Sequence, residues 1–150
     1  MQATRDRVER EIEIEAPLET VWDVLTDPRQ TKLWLCDEAE FEARAGAVGS
    51  VGWHEYGSYE IVVDAAERPY YFAFRWVHPQ GEAPAVGNSL LVEFRLAASG
   101  ARTRLHVTES GFSSLPSESD ARHTPEDHDA GWTKHLSRLR EVVETSRTVR

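Results

Sequence analysis

The stretch Thr124–Val143, TPEDHDAGWTKHLSRLREVV, is the one long helical pattern in a chain that otherwise reads mostly as strands. Trp132, Leu136, Leu139 and Val143 recur at helical spacing and make a single apolar stripe. Thr124 suits the cap, Pro125 the first turn, and Asp127 completes a capping-box-like pair. A lone helix with one apolar stripe has to lay it on a sheet. A sheet gripping one helix can enclose an apolar cavity, so the pattern points to binding before it points to chemistry.

The remaining segments supply that sheet. Arg10–Glu15 alternates charged and apolar residues as a strand with one wet face does, and Ala16-Pro17 then opens a helix carrying Leu18, Val21, Trp22 and Leu25. Asp27-Pro28 stops it and starts a second short helix with Leu33 and Trp34. From Asp37 onward Ala39, Phe41 and Ala43 alternate with charges, Gly46 and Gly49 flank a turn, and Val51 and Trp53 follow. Tyr59, Ile61 and Val63 form the next alternation. Phe72, Phe74 and Trp76 then share a face opposite Tyr71, Ala73 and Arg75. Leu90, Val92, Phe94 and Leu96 continue the pattern, and Ser99-Gly100 turns the chain into Leu105, Val107 and Glu109. Ser50–Glu55, Tyr59–Ala65, Tyr70–Val77, Ser89–Ala97 and Arg102–Ser110 are expected in one antiparallel sheet, crossed by a helix over Thr124–Glu144. Such an order is α+β, with helices covering the apolar face.

Bulk properties narrow the functions. A chain of 150 residues is most economically one domain, and 40% hydrophobic residues suffice for its core. A formal charge of −9, from 26 acidic and 17 basic side chains, argues against a phosphate-binding face and hence against nucleic acid. Cys36 is the only cysteine, so no internal disulfide forms. The charged start MQATRDRVERE has no signal-peptide run, and no segment is apolar enough to span a bilayer. A cytoplasmic protein is the expectation.

Read together, IEIEAPLETVWDVLTDP, RPYYFAFRW, LHVTESGF and GWTKHLSRL resemble, in matching order, the SRPBCC superfamily of helix-grip, birch-pollen-allergen-like fold. Within it the chain is most similar to the group homologous to the C-terminal domain of activators of the heat-shock-protein-90 ATPase. The resemblance runs from about Arg10 to Glu144, so residues 1–150 are expected to be one domain of this kind. It implies a curved antiparallel sheet of about six to seven strands wrapped around the C-terminal helix, with two short helices after the first strand. It also implies a pocket for an apolar ligand. Gly49-Ser50 stands where many relatives carry paired glycines, and Glu67-Arg68-Pro69 where many carry Asp-Pro-Pro. Membership of this family fixes fold far better than function.

Candidate pocket walls are Trp34, Trp53, Phe72, Phe74, Trp76, Trp132 and Leu136, since ligand pockets rely on aromatic surface with few polar groups. Any one of them alone reads more readily as core, the pocket reading gains ground for the set, and Trp22 is assigned to packing of the first helix. Glu109 ends the inward series, where a carboxylate would anchor a ligand or move a proton unless it pairs with a nearby cation. It is expected to point into the cavity with few protein partners. His135 beside Leu136 is a candidate for the border of the same space, although its position reads more readily as a partly exposed helix residue. His54 and Glu55 fall on opposite faces of their strand, with Glu55 following Trp53 inward. Arg75, Glu93, Arg95, Arg104 and His106 read as a charge ladder on the wet face. His123, Glu126, Asp127, His128 and Asp129 match no metal motif, and no phosphate loop or nucleophile elbow occurs, so neither metal nor cofactor is expected. Cys36 reads as an inert thiol.

Three functions are compatible with this set. The first is binding of a small hydrophobic or amphipathic molecule. The second is an enzyme of polyketide-cyclase or hydrolase type using Glu109 and His135 in the same pocket. The third is a co-chaperone-like partner of a chaperone ATPase. An exposed edge strand also makes a homodimer conceivable.

Overall fold

A computed structural model describes residues 6–77, 84–115 and 123–148. The elements are β1 (Arg7–Ile14), α1 (Leu18–Thr26), α2 (Pro28–Trp34), β2 (Glu38–Glu40), β3 (Val48–Trp53), β4 (Gly57–Glu67), β5 (Tyr71–Trp76), β6 (Leu90–Ser99), β7 (Arg102–Ser110), a short 3₁₀ turn (Phe112–Ser114) and α3 (Pro125–Thr148). All seven strands join one sheet in the order β1-β7-β6-β5-β4-β3-β2, with every neighbouring pair antiparallel. The fold is α+β and helix-grip-like, as the sequence order and the resemblance imply. Among the described residues, no helix is long and apolar enough to cross a membrane.

Local chemistry explains the boundaries. Pro17 leads into α1, and the Asp27 carboxylate accepts the Arg29 N–H at 3.0 Å to cap α2 ahead of Pro28 at its first turn. Thr124 caps α3 by accepting the Asp127 N–H at 3.1 Å. Gly100, at φ +64°, takes the tight turn between β6 and β7 that a side chain would strain. The α3 stripe of Trp132, Leu136, Leu139 and Val143 is fully buried. From its first turns Trp132 reaches the inner face of the sheet, packing edge-on to Phe94 of β6 at 5.8 Å and against Trp76 of β5 at 6.3 Å. The inward Arg10 ties β1 to α3 through a two-pronged ion pair with Asp129, at 2.7 and 2.9 Å.

On the opposite face the expected charge ladder is present. Tyr71, Arg95, His106 and Glu11 stand in register across four strands, and Glu93 accepts from Tyr71 and Arg95.

Three expectations needed correction. Only Glu38–Glu40 of the proposed Ala39–Ala43 alternation pairs as a strand; Phe41 turns inward and stacks on Phe72 at 6.1 Å. Gly49 flanks no turn but lies inside β3, where a Cβ would sit 2.3 Å from the Glu40 carbonyl oxygen, so only glycine permits this approach. β3 runs over Val48–Trp53 instead of Ser50–Glu55, which leaves His54 and Glu55 in the turn before β4 with no inward or outward face.

Candidate functional site

The inner layer has two ends of different character. At one, Leu25, Trp34, Phe41, Phe72, Phe74 and Phe94 close around a void of only about 10 Å³, roughly one water-sized probe. At the other a cleft of about 850 Å³ opens between the first turns of α3 and the ends of β3, β4 and β5. Its aromatic walls are Trp53, Tyr59, Trp76 and Trp132, and His123, His128 and His135 stand among them. Asp37, Glu55, Asp127 and Lys134 put charge at its edges. The structure therefore divides the expected pocket residues. Trp53, Trp76 and Trp132 face the cleft, whereas Trp34, Phe72 and Phe74 surround the packed void.

Glu109 lies beneath the cleft floor and is 0% exposed. Oε2 accepts the Trp76 indole N–H at 2.7 Å, and Oε1 accepts both the Trp132 indole N–H at 2.8 Å and Nδ1 of His128 at 2.7 Å. The expectation of few protein partners is thus corrected: three ring nitrogens enclose the carboxylate. Register explains the convergence. Glu109 stands opposite Val92 and Val92 opposite Phe74, so Trp76, two residues further along β5, reaches diagonally over β6. A buried indole needs an acceptor for its one N–H, and a buried carboxylate needs donors. Each solves the other's problem. Glu109 thus reaches the cleft only through the rings that hold it.

His128 continues the chain. Its Nε2 lies 3.0 Å from Nδ1 of His123, whose ring meets Tyr59 edge-on at 5.9 Å on the cleft wall. His135 is also on the cleft, edge-on to Trp132 at 6.0 Å. Burial holds its imidazole below the usual range, with a hydrogen bond to the Trp34 backbone opposing the shift. Val77, next to Trp76 on the cleft wall, sits at φ +57°, a region β-branched residues rarely occupy.

His128 carried a signal in the sequence. Extending the α3 stripe one turn back from Trp132 lands on His128, so it shares the face that meets the sheet. Sorting the histidines by metal spacing alone hides that periodicity. Among the described residues, no three His, Cys, Asp or Glu side chains are placed to hold a metal ion.

Comparison with known proteins agrees with this architecture. The family profile of Activator of Hsp90 ATPase homolog 1-like protein matches residues 15–144. The chain belongs to that family. Among solved structures, MLL2253 from Mesorhizobium loti is 23% identical with a TM-score of 0.77, over 93% of this chain and 97% of that one. The Aha1 dimer from Colwellia psychrerythraea is 16% identical with a TM-score of 0.74, over 93% and 97%. DynU16, from the dynemicin biosynthetic locus, is 27% identical with a TM-score of 0.71; it covers 95% of this chain, which spans 48% of DynU16. No curated protein matches the sequence. In this member of the family the aromatic cleft opens beside α3, whose segment GWTKHLSRL contributes Gly131, Trp132, Lys134 and His135 to its wall.

Proposed function

We propose that this chain binds a small, planar, apolar or amphipathic molecule in the cleft between α3 and the ends of β3 to β5. One observation carries the reading: four aromatic walls, Trp53, Tyr59, Trp76 and Trp132, surround about 850 Å³ of open space. That volume lies in the range of roughly 300–1,000 Å³ that small-molecule sites occupy. Elsewhere the same aromatic-rich layer is filled to about 10 Å³, so the opening is local and not a general looseness of packing. The likeness to DynU16, a protein of a biosynthetic locus, also favours a small molecule over a protein partner. Charged edges at Asp37, Glu55, Asp127 and Lys134 suit a ligand with one polar end.

Native mass spectrometry of protein purified without added ligand tests the proposal, because a co-purified apolar molecule would name the ligand class. Tryptophan fluorescence should report planar aromatic ligands directly, since three of the walls are indoles. Trp53→Ala removes one wall and should weaken binding about tenfold, the upper end of an aromatic pair's worth of about 0.5–1.5 kcal/mol. Unchanged affinity in that variant would move the ligand out of the cleft.

A further inference from the structure

We infer that the cleft takes an organic cation, a flat aromatic or conjugated molecule carrying a positively charged nitrogen. The inference rests on the ligand-binding reading above and assigns the charge of the ligand's polar end. A cleft recognises that end with whatever donors and acceptors its own bonds leave over. Each of the three indoles here has a single N–H, and all three are already committed. Trp53 donates to the Leu35 carbonyl at 3.0 Å, while Trp76 and Trp132 donate to Glu109 at 2.7 and 2.8 Å. What the indoles offer a guest is therefore carbon surface and ring π electrons. The π face of an aromatic ring attracts a cation and repels an anion.

The charged edge has the same bias. Asp37, Glu55 and Asp127 stand on the cleft wall, and Lys134 is the one Lys or Arg beside them among the described residues. Elsewhere acids hold arginines: Glu19 and Asp23 meet Arg68, Glu15 meets Arg102, and Asp129 meets Arg10. Among the described residues, none of the three cleft carboxylates pairs with a Lys or Arg, and Asp37 accepts the His54 backbone N–H at 2.7 Å. His135 adds a neutral acceptor. Burial holds its imidazole below the usual range, and the bond that opposes this shift is one in which the ring donates to the Trp34 backbone. A neutral imidazole donates from one nitrogen and accepts at the other, so a lone pair is left in this residue of the wall. His123 and His128 bond to each other, and His128 to Glu109, so the two rings answer to one another first. A guest carboxylate or phosphate would meet one ammonium and three like charges. An ammonium, an amidinium or a charged ring nitrogen meets three opposite charges and a π surface.

Three flat probes of similar shape and different charge test this: N-methylquinolinium, neutral 1-methylnaphthalene and anionic 1-naphthoate, each followed by isothermal titration calorimetry. Affinity should fall in the order cation, neutral, anion, with the cation bound about tenfold tighter than its neutral isostere at low salt. Raising the ionic strength from about 0.01 M to 1 M shortens the screening length from about 30 to 3 Å and should narrow that ratio. Combining Asp37→Asn, Glu55→Gln and Asp127→Asn should narrow it as well, and Lys134→Gln should widen it. All four side chains are exposed, so the ratio between two probes on one protein separates charge from any change in fold. A neutral isostere bound as tightly as the cation overturns the inference and leaves the ligand reading standing. So does a ratio indifferent to both salt and Lys134→Gln, or a naphthoate that binds best. If none of the three probes binds, the ligand reading falls and the inference falls with it.

Discussion

Glu109→Gln looks conservative and should not be. The carboxylate accepts three N–H groups, two at Oε1 and one at Oε2, with no solvent exposure. An amide has one acceptor oxygen and one NH₂. If the oxygen takes the place of Oε1, Trp132 and His128 stay satisfied but the Trp76 N–H faces the NH₂. If the amide flips, Trp76 is satisfied, His128 can change tautomer and accept, and the Trp132 N–H is stranded. Either way one buried indole donor opposes another donor. The loss combines a hydrogen bond to a charged group, about 1.5–3 kcal/mol, with an unsatisfied buried donor, about 1–3 kcal/mol. Relief from burying a charge returns part of this, so the net expectation is about 2–4 kcal/mol. For a chain of this length that corresponds to roughly 5–15 °C in Tm. Urea unfolding followed by circular dichroism measures it directly, and an unchanged m-value would show that the folded and unfolded states stay comparable. A Gln variant within about 0.5 kcal/mol of the parent would falsify the three-donor cradle.

Other perturbations test different parts of the molecule. Gly131 lies inside α3, and an added Cβ would meet only the His135 ring, at 3.9 Å. Gly131→Ala should therefore stabilise the fold by about 0.5–1 kcal/mol while narrowing the cleft; a lower urea midpoint would refute the space assigned to it. His135 resists protonation when folded, so below its ordinary value of 6.5 the unfolded chain takes up more protons. Its contribution to stability should be fully present above that pH and fall as pH drops, and His135→Phe should flatten unfolding curves measured from about pH 7.5 to 5. A variant with the parent's slope would mean that His135 is not the group responsible. Burial pushes the Cys36 thiol up to about 11, and its Sγ contacts the Glu38 carbonyl at 3.2 Å. Disulfide reagents at pH 8 should modify the native protein only as fast as it opens, and rapid stoichiometric labelling would contradict that.

The sheet and its helix were legible because their signals are periodic and local. Alternation placed Phe72, Phe74, Trp76 and the series Leu105, Val107, Glu109 on the inner face, and helical spacing placed the whole α3 stripe. Which part of that inner face would be open was not legible. Phe72 and Trp76 follow the same pattern on one strand, yet one packs against Phe41 and Trp22 while the other borders open space. Only the three-dimensional placement of α1, α2 and the Phe41 segment decides that difference. Glu109 was placed on the correct face but with the wrong company. Its three donors come from β5 and from two turns of α3, a meeting that no spacing in the sequence encodes.

The bond pattern at Glu109 also bears on how this cleft can change over evolutionary time. Trp76 and Trp132 each point their single N–H at the same hidden oxygen pair, which fixes the rotation of both rings before any ligand arrives. A guest therefore meets a floor already set in orientation and loses little to ordering it. It also means the floor is mutationally stiff, since altering either indole or the carboxylate strands the others. Freedom to explore new guests lies instead at the exposed edge. There Glu55, Tyr56 and Lys134 can be exchanged without disturbing a buried partner, so related chains should diverge in ligand preference at the lip and agree at the base.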